Sequence, residues 1–134
     1  RNAANLAWMQ ATFAAATARN AKAVVLAFQA DLRWEFDGRD DQRAGFTDTL
    51  NALRRHAREF GKPVLIVHGD RHRLMIDKPL YQDRQLIYNV TRLMVFGDEE
   101  VQGVQINVDT DDPDVFSFKT LTVPENIRPP KPKP

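Results

Sequence analysis

The chain has 134 residues, 43% of them hydrophobic, which is the size and composition of one folded domain with a genuine core. Nineteen lysines and arginines against eighteen aspartates and glutamates leave a formal charge of +1, too little to recruit nucleic acid or an anionic membrane by field alone. No apolar run approaches the roughly 20 residues of a membrane span, and the lack of cysteine excludes disulfides, thiolate zinc sites and cysteine nucleophiles.

Asn2 to Asn20 is rich in alanine and spaces Leu6, Met9, Phe13 and Ala16 at three- and four-residue steps, which predicts an amphipathic helix. The apolar run Ala23 to Phe28 is too short for a second helix and suits a central parallel strand buried on both faces. Gln29 to Gly45 is a polar excursion carrying Asp31, Arg33, Glu35, Asp37, Arg39, Asp40 and Asp41. Its large apolar groups are Trp34 and Phe36, expected to pack over the sheet edge. A second helix follows, with Phe46, Leu50, Leu53, Ala57 and Phe60 on one stripe and Gly61 placed as its C-terminal cap. His56, among Arg54, Arg55 and Arg58, is expected on the surface of that helix.

Pro63 to Val67 repeats the buried-strand pattern and runs into His68-Gly69-Asp70-Arg71-His72. Strand, excursion, helix and strand make a βαβ unit, so both polar excursions should lie at the carboxyl edge of a parallel sheet, where ligands collect. Alternation then predicts antiparallel strands at Leu93 to Phe96, at Val104 to Val108 and at Val115 to Val123. The turn Asp109 to Asp114 links the last two. Its four aspartates lack the glycine and distant glutamate of an EF-hand and read as a solvated turn. Residues 127–134, with four prolines, form an extended tail.

Two of the three histidines sit in the His68 to His72 turn. Imidazole and carboxylate crowded directly after a buried strand are the materials of a metal site. The same five residues also suit a plain polar turn, with Asp70 capping it and Arg71 in solvent. Gln29, at the end of the first strand, is either a weak ligand for a hard cation or a group that satisfies backbone at the strand end.

The string PVLIVHGDRHRLMID, Pro63 to Asp77, resembles the last metal-binding motif of the calcineurin-like metallophosphoesterases, in a bacterial branch that writes it His-Gly-Asp-x-His. TRLMVFGD at Thr91 to Asp98 and the stretch from Asp112 to Val123 resemble that branch as well. The resemblance spans Arg1 to about Asn126. It implies a mixed α/β fold that is half of a four-layer αββα sandwich, a βαβ unit followed by antiparallel strands, with residues 1–126 as the domain and 127–134 as the tail.

The resemblance further implies hydrolysis of a phosphate ester by a two-metal centre of manganese, iron or zinc. His72, Asp70 and Gln29 would be metal ligands, with Gln29 standing where the family has histidine, and His68 would assist catalysis. The Asp-x-His, Gly-Asp-x-x-Asp and Gly-Asn-His motifs of the family are absent from this sequence, and Arg1 stands where a second half would begin. The expectation is therefore an incomplete metal site, inactive alone, completed by a missing N-terminal half. The alternative is a non-catalytic binding or scaffold domain derived from the same fold. Composition leaves the compartment open, an extracytoplasmic one included.

Overall fold

A computed structural model of the chain describes residues 2–34, 45–98 and 100–127. Helix α1 spans Asn2–Ala18 and buries Met9 and Phe13, with Leu6 and Ala16 packed beside them, as the spacing predicts. Asn20 ends it in the left-handed conformation (φ 51). Asn20 N–H donates to the Thr17 carbonyl at 3.0 Å and Ala21 N–H to the Ala16 carbonyl at 2.8 Å, the paired bonds of a Schellman cap. Helix α2 spans Thr47–Phe60; Gly61 (φ 67) closes it by donating to Ala57 O at 3.1 Å.

The main sheet has four strands: β1 (Val24–Ala27), β2 (Val64–His68), β3 (Met75–Asp77) and β6 (Val90–Met94), in the order β1-β2-β6-β3. β1, β2 and β6 are parallel, and β3 runs antiparallel to β6. Val24, Leu26, Val64, Ile66 and Val90 form one core with Met9 and Phe13 of α1 and Leu50, Leu53 and Ala57 of α2. Burying such a side chain contributes roughly 1.5–3 kcal/mol, so this one face carries much of the stability.

Three expectations are corrected here. β1 is not a central strand buried on both faces: it lies at the sheet edge, with Leu26 1% exposed and Val25 50%. The centre belongs to β2, whose Val64, Leu65 and Ile66 are all buried. The strand expected to be antiparallel at Leu93 to Phe96 is β6, displaced to Val90–Met94 and parallel to β2. Its antiparallel partner β3 is too short for alternation to reveal. Lastly, His56 is 9% exposed and stacks on Phe13 at 5.4 Å, inside the contact between the helices.

Between β3 and β6 lies a hairpin of β4 (Tyr81–Gln82) and β5 (Gln85–Leu86), turned by Asp83 (φ 51) and Arg84 (φ 63). Two positive φ values in a two-residue loop are the geometry whose twist matches the flanking strands. A second hairpin, β7 (Gly103–Val108) with β8 (Phe116–Leu121), is antiparallel as expected. In its turn Asp109 and Asp112 accept the N–H groups of Asp111 and Asp114 at 2.9 and 2.8 Å, so two of the four aspartates hold the loop itself.

No helix among the described residues is long and apolar enough to cross a membrane. The fold is mixed α/β. Glu35, Phe36, Asp37, Arg39, Asp40 and Asp41 lie outside the described residues, as does the tail beyond Ile127.

Candidate functional site

Parallel pairing of β1 and β2 continues past their ends. Phe28 N–H donates to Val67 O at 3.1 Å, and Gly69 N–H to Gln29 O at 3.3 Å. This carries Gln29 and Asp70 to the same spot at the carboxyl edge, although 41 positions separate them. Gln29 Nε2 donates to Asp70 Oδ1 at 3.3 Å, and Asp31 N–H donates to Asp70 Oδ2 at 3.1 Å. The Asp31 N–H first, and the Gln29 amide second, hold the Asp70 carboxyl below its usual range, because both bonds favour the charged form.

Asp31 is the inner brace of the two loops. It is buried; its Oδ1 accepts the Arg33 N–H at 3.0 Å and its Oδ2 lies 3.5 Å from Arg71 Nε. Arg33 (φ 57), Asp70 (φ 76) and His72 (φ 53) all adopt left-handed backbone. Side chains other than glycine take that conformation at a cost, so bonds of this kind are needed to hold them there.

His72 reaches toward the end of β6, and its Nδ1 lies 2.6 Å from Asp98 Oδ1. Both side chains are open to solvent. Gly97 makes this approach feasible: a Cβ there would sit 2.3 Å from His72 Cβ, closer than any side chain allows. Asp98 is the partner of His72 that sequence reasoning did not single out; its signal, the Gly-Asp pair after a strand, is visible only as part of the resemblance.

His68 is not on the surface with them. It is 1% exposed, its ring 6.1 Å from Phe28 and 5.9 Å from Trp34. Trp34 packs over the sheet as expected, with the Arg92 guanidinium 5.8 Å from its ring. Arg92 is buried and grips Asp77 with two bonds, 2.7 Å from Nε and 2.5 Å from Nη2. A stack of His68, Trp34 and Arg92 thus underlies the loops.

Of the predicted site residues, then, Gln29 and Asp70 are in contact, His72 stands on the same edge with Asp98, and His68 lies beneath. Among the described residues no group of three or more histidines and carboxylates is arranged to hold a metal. No family model, curated protein or solved structure matches this chain.

Proposed function

We propose that this chain is the C-terminal half of a metal-dependent phosphoesterase and supplies part of its metal site. The observation that carries the reading is the His72 Nδ1 to Asp98 Oδ1 contact of 2.6 Å. Metal-ligating histidines characteristically place one ring nitrogen on a carboxylate, which fixes the tautomer and aims the other nitrogen at the ion. The donor set suits a divalent cation such as manganese, iron or zinc: Nε2 of His72, the carboxylate of Asp70 and the amide oxygen of Gln29.

Bound there, metal ions would polarise a phosphoryl oxygen and provide hydroxide at neutral pH. The chain's own groups have narrower tasks. Asp98 orients His72, the Asp31 N–H and the Gln29 amide keep Asp70 ionised, and Arg71 is braced by Asp31 near the incoming phosphate ester. His68, enclosed by Phe28 and Trp34, anchors the loop and acts as a positioning residue. The remaining ligands and the second half of the sandwich would come from the N-terminal half of the same fold.

A second reading, a non-catalytic binding or scaffold domain, is favoured by Gln29 standing where the resemblance expects histidine. Calorimetric titration of the chain with Mn²⁺ and Zn²⁺ separates the two. One weak site is expected, weakened about 10–100-fold in Asp98→Asn and lost in His72→Ala, with Asp114→Ala unchanged. Hydrolysis of p-nitrophenyl phosphate is expected once the other half of the fold is supplied. No metal binding in the wild-type chain would leave the scaffold reading standing.

A further inference from the structure

We propose that the groove between α2 and the β4–β5 hairpin is a binding site for a phosphomonoester, separate from the loops at the carboxyl edge. It is a cavity of about 660 Å³, within the span typical of small-molecule sites. It lies at the other end of the sheet, since α2 leads through Gly61 into the start of β2. Asn89, just before β6, fixes that end by donating to Ala57 O at 2.8 Å and Lys62 O at 2.9 Å.

Three arginines of α2 line the groove, and each is held in place by the fold. Arg54 donates Nε to Tyr81 O at 2.7 Å and Nη1 to Asn51 Oδ1 at 2.9 Å. Arg58 donates Nη1 to Gln82 Oε1 at 3.1 Å, which ties its guanidinium to the hairpin side of the groove. Arg55 Nη2 lies 3.2 Å from Nε2 of the buried His56, itself stacked on Phe13. Much of the rotamer freedom that a surface arginine would lose on binding is therefore already lost on folding.

The charge and shape select the ligand. A guanidinium fork matches phosphate oxygens bidentately, and the half-exposed Tyr81 offers a flat wall to the organic part. Glu59 and Asp83 also line the groove, so three guanidinium groups against two carboxylates leave one formal positive charge. That suits a compact anion and offers too few cations to hold a long polyanion such as nucleic acid, whose binding needs many neutralised phosphates.

The test is a titration of the ¹⁵N-labelled chain in excess EDTA, which removes metal from the carboxyl-edge loops, with phenyl phosphate, inorganic phosphate and phenol as probes. Saturable shifts of the Arg55 and Arg58 side-chain signals are expected with both phosphates and not with phenol. Affinity should fall about tenfold in Arg58→Gln, the loss of one charge-assisted pair. Tyr81→Ala should weaken phenyl phosphate while leaving inorganic phosphate unchanged, and His72→Ala should bind both as the wild type does. Absence of saturable binding, shifts confined to residues 68–72, or equal affinity in folded Arg58→Gln and Arg55→Gln variants would each overturn the proposal. Because EDTA silences the metal site, the result stands apart from the phosphoesterase reading.

Discussion

At the scale of single residues, the site rests on contacts between positions far apart in the chain. The turn His68 to His72 is legible because imidazole and carboxylate directly after a buried strand are unusual. Asp98 and Asp77 are not, because each finds its partner only through the register of β6. Asp77 and Arg92 pair across β3 and β6, 15 positions apart, and bury a guanidinium among Trp34 and Met75. Removing one partner of a buried pair leaves an uncompensated charge. Asp77→Asn is expected to destabilise the fold by about 2 kcal/mol, below the value for a fully buried pair because Asp77 is partly exposed. Urea unfolding checks this. Replacing both partners by apolar residues of similar volume should recover most of the loss.

At the scale of elements, both helices and the βα order were readable from apolar spacing and caps, and the errors have specific causes. Arginines surround His56 in sequence and point to a solvent-facing position. Yet it stands three residues after Leu53 and four before Phe60, within the buried stripe of α2. Burial chiefly, and then Arg55, lower its pKa, while Glu59 opposes them. Phe13, Gln10, Thr17 and Ala14 face it from α1, so that helix adds no charge to the cavity around it.

A folded-state pKa below 6.5 means that the unfolded chain takes up this proton first as pH falls. Stability from His56 is therefore constant above about pH 6.5 and declines below it. Asp70 works in a separate window: its carboxyl is lowered from 3.8, so its contribution is present above that pH and lost beneath it. A thermal-melt series is expected to show Tm falling as pH drops below about 6.5 in the wild type. In His56→Phe, which keeps the stack on Phe13 without a titrating group, that fall should be diminished.

At the scale of the molecule, α1 and α2 share one face of the main sheet, and the other face is only partly covered. Val25 and Ile76 are exposed at its flanks, and Val108 and Leu121 of the β7–β8 hairpin are exposed as well. Apolar surface of this kind on strands with free edges favours association. Concentration-dependent self-association of the isolated chain is the expected outcome in sedimentation velocity; a monomer at all concentrations would argue against a half-sandwich. By itself the sequence determined the two helices, the parallel start of the sheet, the terminal hairpin and the loop that holds the candidate ligands. Those features depend on local propensity, apolar period and chain order. Tertiary structure alone decided which strand is central, that Arg92 is buried, and that His72 meets Asp98. Each of these depends on strand register and helix packing between distant segments, which no local pattern encodes.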